Sequence, residues 1–188
     1  MLQHLPSIVG HSLRAARPGL EKLMVNRPDF SHVLSAIEIE SPAFRENGAI
    51  PAKYATDGEG LSPPLQWSGV PPLTRAVLII EDADSPTALP LVHAIILDLQ
   101  GGDGSLPEGA LSGSAGVHLK MGRNSLLKTT YLPPDPPPGH GAHRYAFQIF
   151  ALDDPPAFDI GIGRSKLIAI LRGRVQAKGC LIGTYGRA

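Results

Sequence analysis

Prolines and glycines interrupt this chain at short intervals, and this limits the length of any regular element. The 188 residues include 19 prolines and 21 glycines. Proline lacks the backbone donor of a helix or sheet, and glycine loses more backbone freedom on folding than other residues, so both favour turns. Short strands joined by turns tolerate this composition better than a helical bundle does. We therefore predict one globular domain, all-β in its dominant architecture.

Three apolar runs have the patterns of strands. Residues 76–80, AVLII, are continuously apolar, which is typical of a central strand covered on both faces. Residues 92–99, VHAIILDL, form a similar run. In residues 144–152, alternation predicts that four side chains share one face: Tyr145, Phe147, Ile149 and Ala151.

Two further features concern the core and the C-terminal end. Trp67 is the only tryptophan, and we expect it in the core because an indole buries a large apolar area. Residues 165–177 have a helical apolar stripe that Gly179 would end, and residues 179–185 are predicted to be a short last strand.

The first thirty residues differ from the rest. Residues 5–16 have apolar positions near helical spacing, and Pro18 and Gly19 would stop such a helix. We predict an N-terminal helical arm, residues 1–30, ahead of a domain formed by residues 31–188. On a free arm an apolar stripe would be exposed, so we expect it to pack on the domain or on a second copy, with a homodimer favoured; the stripe is Leu5, Ile8, Val9 and Leu13.

A cleaved targeting peptide or a disordered tail is the alternative for the arm. The arm contains no apolar run of signal-peptide length, and the chain contains no transmembrane span, so we expect a cytoplasmic location.

The charge balance limits the classes of partner that the protein can bind. Seventeen basic residues balance seventeen acidic ones. The chain therefore lacks the basic excess that binding to nucleic acid or to an acidic membrane draws on. Cys180 is the only cysteine, which excludes an intramolecular disulfide. We predict no cofactor.

Acidic residues and histidines lie at the ends of the predicted strands. Asp82 and Asp84 follow one strand, His93 opens the next, and His143 precedes a third. If these strands are neighbours, the four side chains meet at one rim. The aspartates also suit a turn, and a lone strand histidine is often a hydrogen-bonded core residue. His140 and His143 have a spacing compatible with a metal, but no cysteine or helical histidine pair supports zinc, so no metal site is predicted.

Several short motifs, in this order, resemble the phosphatidylethanolamine-binding protein family, also called Raf kinase inhibitor-like proteins. The motifs are LSPPLQW (61–67), EDADSP (81–86) followed by His93, GRN (122–124) and PPPGHGAHRY (136–145). The terminal KGCLIGTYGR (178–187) is similar to the end of the family's bacterial branch. The resemblance covers about residues 39–187.

The resemblance implies a β-sandwich with a large antiparallel sheet and a small anion-accepting pocket at one edge. It also implies non-enzymatic binding of a phosphate-bearing or zwitterionic head group, such as that of a phospholipid. A carboxylate would receive an ammonium, and imidazoles and loop N–H groups would receive a phosphate. The ligand-binding residues it implies are Asp82, Asp84, His93, Tyr131, Pro136, Pro137 and His143.

The sequence departs from the family pattern in the pocket wall. Ala83 stands where the family motif has proline, and Leu91 and Val92 stand where an aromatic residue commonly precedes the histidine. We expect a less aromatic wall.

Two other functions stay open. The family name implies inhibition of a kinase or a serine protease through protein contacts. Hydrolysis by the Asp/His rim is the third possibility, and it ranks last because no nucleophile is evident.

Overall fold

A computed structural model describes residues 6–113, 118–154 and 157–187. Among these residues, eight strands form two antiparallel sheets. The small sheet has the order β1 (Glu38–Glu40), β2 (Leu65–Ser68), β5 (Gly104–Leu106). The large sheet has the order β6 (Lys120–Met121), β4 (Leu91–Gln100), β3 (Arg75–Asp82), β7 (His143–Leu152), β8 (Val175–Tyr185). With the helices α1 (Ser7–Leu13) and α2 (Arg164–Leu171), this confirms the predicted β-dominated sandwich.

Apolar layers cover both faces of the large sheet. Leu78 and Ile80 of β3 pack with the side chains of the small sheet, including Trp67. Val77 and Ile79 pack with α2 and residues 20–33. The predicted central strand is thus confirmed, since these four β3 side chains are at most 1% exposed. The β7 side chains predicted to share a face also do so, because all four lie in the layer between the sheets.

The C-terminal helix is shorter than predicted and the last strand is longer. Helix α2 ends at Leu171, whereas the stripe predicted a helix as far as Ala177. Gly173 has φ +70°, in the left-handed region that glycine adopts without strain, and the chain turns there. Strand β8 then runs from Val175 to Tyr185 and pairs with β7 along its whole length.

Part of the predicted arm belongs to the core. Residues 20–30 form three 3₁₀ turns, and their side chains Leu23, Met24 and Phe30 are at most 1% exposed. The backbone N–H of Met24 donates to Glu81 Oε2 at 2.8 Å, which ties these turns to the large sheet. The division into an arm, residues 1–30, and a domain, residues 31–188, stays a prediction, but the buried hydrophobic side chains that form the core begin, among the described residues, at Leu23.

Helix α1 contacts the sandwich through Gly10, and packing of its apolar stripe on a second copy stays a prediction. Gly10 is its only buried residue, whereas Ile8 is 71% and Leu13 38% exposed. The predicted apolar stripe therefore does not pack on the domain, and Leu5 lies outside the described residues. Only a glycine can make this contact, because a Cβ at position 10 would overlap the carbonyl oxygen of Pro138. No helix in the described parts of the chain is long and apolar enough to cross a membrane.

Replacing Trp67 by Ala tests the core. Trp67 is 7% exposed, and its ring packs so closely on β5 that a Cβ at Gly104 would lie 2.6 Å from it. We expect the free energy of unfolding in urea to fall by about 3–5 kcal/mol. Leu73→Ala is the control, because Leu73 is fully exposed and its loss should change stability by less than about 0.5 kcal/mol. Equal effects of the two substitutions would place Trp67 outside the core.

Candidate functional site

One end of the large sheet brings the predicted rim residues together. Strand β3 ends at Asp82, which lies opposite Tyr145 of β7 on one side and Leu91 of β4 on the other. His143 and His93 are each two residues along the chain from these partners. Antiparallel pairing therefore places one histidine on each side of Asp82.

Asp82 and His143 form a buried pair. The Nδ1 of His143 lies 2.7 Å from Asp82 Oδ2, and the side chains are 1% and 6% exposed. The other carboxylate oxygen, Oδ1, accepts the backbone N–H of Asp84 at 2.8 Å. The carboxylate therefore fixes the orientation of the His143 ring, and the Nε2 of that ring points away from β3.

A second histidine extends this pair to the arm. His140 Nδ1 lies 2.7 Å from His143 Nε2, and His140 Nε2 lies 2.8 Å from the carbonyl oxygen of Leu13. Burial lowers the pKa of His140. The four groups form one chain of hydrogen bonds from Asp82 to the end of α1. In the sequence, His140 drew attention only as a possible metal ligand with His143. The described residues contain no group of three or more His, Cys, Asp or Glu that could hold a metal ion.

Asp84 is buried beside this row of hydrogen bonds, but its oxygens already bind two arginines. It accepts hydrogen bonds from the backbone N–H, Nε and Nη2 of Arg144 at 2.6–2.8 Å, and Arg17 Nη1 lies 3.2 Å away. Burial acts to raise the pKa of Asp84, but these bonds and charges outweigh it and hold the pKa below its usual range. Asp84 therefore positions the turn after β3, and its oxygens are used within the protein.

His93 offers a nitrogen without a partner. Its Nδ1 donates to the carbonyl oxygen of Leu132 at 2.6 Å, so Nε2 is the bare acceptor of the neutral ring. Burial lowers the pKa of His93 and favours this neutral form. Nε2 is buried and has no hydrogen-bond partner within the described residues.

Tyr145 supplies a second unpartnered atom. Its hydroxyl is buried without a partner among the described residues, and burial raises its pKa well above the usual value, so it keeps its proton. The ring meets His93 edge-on at a centroid distance of 5.2 Å and stacks on His143 at 6.3 Å. The predicted site omitted Tyr145, although it is the first of the four side chains that alternation places on one face and it stands in the quoted motif.

The remaining predicted site residues support the loop that leads to His140. Tyr131 is buried in the layer between the sheets and directly precedes Leu132, the partner of His93. Pro137 accepts the backbone N–H of His140 at 3.1 Å, and Pro136 accepts a hydrogen bond from Arg187. All three residues therefore lie on the loop between β6 and β7, which contacts His93 through Leu132 and carries His140.

A groove in another part of the described chain has a large volume. Its volume is about 1130 Å³, and it is lined mainly by residues 35–46 and 179–182, none of which belongs to the predicted site. Its cysteine, Cys180, is not activated, since burial raises its pKa to about 12. The groove thus offers volume without the convergent polar groups found at the end of the large sheet.

Comparison with known proteins identifies the family. The sequence profile of the phosphatidylethanolamine-binding proteins matches residues 40–186. The chain belongs to this family. The match contains all the strand residues of the site, and the arm residues 6–19 lie outside it.

Relatives within the phosphatidylethanolamine-binding protein family match over most of their lengths. A UPF0098 protein from Aquifex aeolicus is 32% identical over 89% of this chain and 99% of its own. A UPF0098 protein from Chlamydia trachomatis is 34% identical over 79% of this chain and 98% of its own.

Two solved structures have the same fold. A phosphatidylethanolamine-binding protein homologue from Chlamydia trachomatis superposes with a TM-score of 0.73 at 33% identity, over 82% of this chain and 99% of that one. The YbcL protein of Escherichia coli superposes with a TM-score of 0.72 over 82% of this chain and 100% of its own, and at 21% identity it supports the fold alone.

Tyr145→Phe tests whether the Tyr145 hydroxyl is held in the site at a cost. A buried hydroxyl without a partner costs about 1–3 kcal/mol, so its removal should raise the free energy of unfolding in urea or leave it unchanged. Tyr54→Phe is the matched control, since the Tyr54 hydroxyl donates to Glu108 Oε2 at 2.7 Å and its removal should lower stability. A larger loss of stability for Tyr145→Phe than for Tyr54→Phe would contradict the unpartnered state.

Proposed function

We propose that this protein is a non-enzymatic binding protein whose site at Asp82, His93, His143 and Tyr145 accepts a small phosphate-bearing or zwitterionic head group. The main support is the pair of buried, unpartnered atoms, His93 Nε2 and the Tyr145 hydroxyl. Each costs free energy while it stays unpaired, and a ligand that pairs with both recovers that cost. Family membership supports the same function.

The two atoms define what the ligand must carry. The Tyr145 hydroxyl donates a hydrogen, so the ligand needs an acceptor such as a phosphate oxygen. Neutral His93 accepts at Nε2, so the ligand also needs a donor. A phosphate with a P–O–H group carries both, and so does a zwitterion whose ammonium donates to His93. Sulfate carries acceptors alone, and its binding requires a proton on His93.

Binding without turnover is supported by the state of His143. Its two ring nitrogens contact Asp82 and His140, and neither is hydrogen-bonded to a serine, threonine or cysteine side chain of the described residues. A histidine that activates a nucleophile needs one nitrogen directed at that nucleophile. Inhibition of a kinase or a serine protease, and a cytoplasmic location, stay predictions from the sequence and its resemblance.

Titration with phosphate and sulfate tests the proposed ligand chemistry. Burial lowers the pKa of His93, and a bound dianion favours the charged ring, so sulfate binding takes up a proton. The affinity for sulfate relative to that for phosphate should rise as pH falls from about 8 to about 5, the range in which imidazoles titrate. Inorganic phosphate keeps a P–O–H group over this range, so it should bind more tightly than sulfate near neutral pH, with a difference that narrows in acid. Isothermal titration calorimetry measures both.

A matched pair of variants controls this titration. His93→Phe should abolish binding of both anions, whereas His118→Phe makes the same change at an exposed histidine and should leave binding intact. Retained binding in His93→Phe, or equal affinities for phosphate and sulfate at every pH, would contradict the proposed site.

We also expect a homodimer formed through the exposed stripe of α1. Ile8 and Leu13 are 71% and 38% exposed, and a second copy would cover them. Light scattering should give the mass of a dimer for the full chain and of a monomer for the double variant Ile8→Ser, Leu13→Ser. A full chain that is monomeric at all accessible concentrations contradicts this expectation.

A further inference from the structure

The arm contacts the loop that carries His140, next to the candidate site. Gly10 approaches the backbone of Pro138 and His140 so closely that a side chain does not fit. Arg17 donates to the carbonyl oxygens of Ala142 at 3.0 Å and His140 at 2.5 Å. The arm thus clamps the loop that carries His140, immediately before His143.

His140 in turn occupies the nitrogen of His143 that the site would use. Nε2 of His143 is the ring atom directed away from Asp82, and His140 Nδ1 lies 2.7 Å from it. While His140 is held there, His143 cannot present Nε2 to a ligand. If the arm leaves, the Leu13 carbonyl no longer fixes His140, and the His140 ring is free to turn away.

The row of hydrogen bonds from Asp82 through His143 and His140 to Leu13 fixes how many hydrogens these groups must carry. The chain begins at a carboxylate, Asp82, and ends at a carbonyl, Leu13, and both of these groups accept hydrogens. Three contacts link them through two imidazoles, at 2.7, 2.7 and 2.8 Å. Three hydrogen bonds need three hydrogens, whereas two neutral imidazoles carry two. The complete chain therefore holds one proton more than an Asp82 anion with neutral His140 and His143.

We propose that residues 6–17 act as a latch that holds His140 against His143 and closes the anion site, and that the latch takes up one proton when it closes. The identity of the site as an anion site rests on the proposed function. The arm contacts and the proton count stand independently of it.

The number of hydrogens that the three closed contacts need sets the direction of the pH dependence, and it outweighs the burial of His140, which opposes the extra proton. Burial lowers the pKa of His140, the positive charges of His143 and Arg17 act in the same sense, and the Leu13 carbonyl and the charge of Asp82 oppose it. Arg17 is itself neutralised in part by Asp84, which also binds Arg144. From the arm, His11 and Arg14 also lie beside this loop, next to Gly139 and Gly141. Since the closed latch holds the extra proton, acid favours closure and rising pH favours release.

Hydrogen exchange of the arm tests the latch directly. After correction for the intrinsic rate with a reference peptide, protection of residues 6–17 should fall as pH rises from about 5 to about 8, the titration range of imidazoles. His140→Phe keeps a ring but removes the proton-binding nitrogens, so its arm should show no such pH dependence. A pH-independent protection in the unmodified chain, or an unchanged pH dependence in His140→Phe, overturns the proton-linked latch.

Gly10→Leu tests whether the latch closes the site. The added side chain meets the backbone of Pro138 and His140 and should displace the arm, whereas Ser12→Leu adds the same side chain at an exposed position of α1. If the latch is closed about nine-tenths of the time, its removal raises phosphate affinity about tenfold. Gly10→Leu should show this gain near pH 6, where the latch holds, with less gain near pH 8. Ser12→Leu should match the unmodified chain.

The outcomes separate the latch from the proposed function. Equal phosphate affinity in the Gly10→Leu, Ser12→Leu and unmodified chains overturns closure of the site. If none of the three binds phosphate, the proposed function fails, and acylation of His143 by diethyl pyrocarbonate decides the latch. Faster acylation in Gly10→Leu than in Ser12→Leu supports it, and equal rates overturn it.

Discussion

The hydrogen bond between His143 and Asp82 fixes the geometry of the whole candidate site. It joins the last residue of β3 to the first residue of β7, and both residues are held by ladders of the large sheet. Because the carboxylate binds Nδ1, the ring has one orientation, with Nε2 directed at His140 and one face stacked on Tyr145. Loss of this bond would free the His143 ring to rotate, and the contact of His143 with His140 would no longer be fixed.

The sandwich bears the cost of two unpartnered atoms at this end of the sheet. His93 Nε2 and the Tyr145 hydroxyl are buried, yet the strands that carry them are apolar on both faces and packed between two layers. This packing holds the atoms in place although pairing them with water or with other side chains would be more favourable for stability. Under the proposed function, a ligand would bind at this rigid sheet end with little loss of side-chain freedom.

Much of the fold could be predicted from local patterns, because the apolar runs and turns are short and clearly bounded. The convergence of Asp82, His93 and His143 followed from their positions at the ends of neighbouring strands. The role of His140 could not be predicted in this way, since it depends on a backbone carbonyl of Leu13, more than a hundred residues away. The contact of α1 with the domain could not be predicted for a related reason: apolar periodicity selects Ile8 and Leu13, whereas the close approach of two backbones selects Gly10.

Nitrogen-15 NMR of the histidine side chains tests the account of the site most directly. The chemical shifts of the two ring nitrogens distinguish a protonated nitrogen from a bare one, and they do so for each histidine separately. For the free protein near neutral pH, we predict that His93 is neutral with hydrogen on Nδ1 and a bare Nε2, and that saturating phosphate shifts the Nε2 resonance strongly while Nδ1 stays nearly unchanged. A His93 ring that carries its hydrogen on Nε2, or an Nε2 resonance that phosphate leaves in place, would contradict the account.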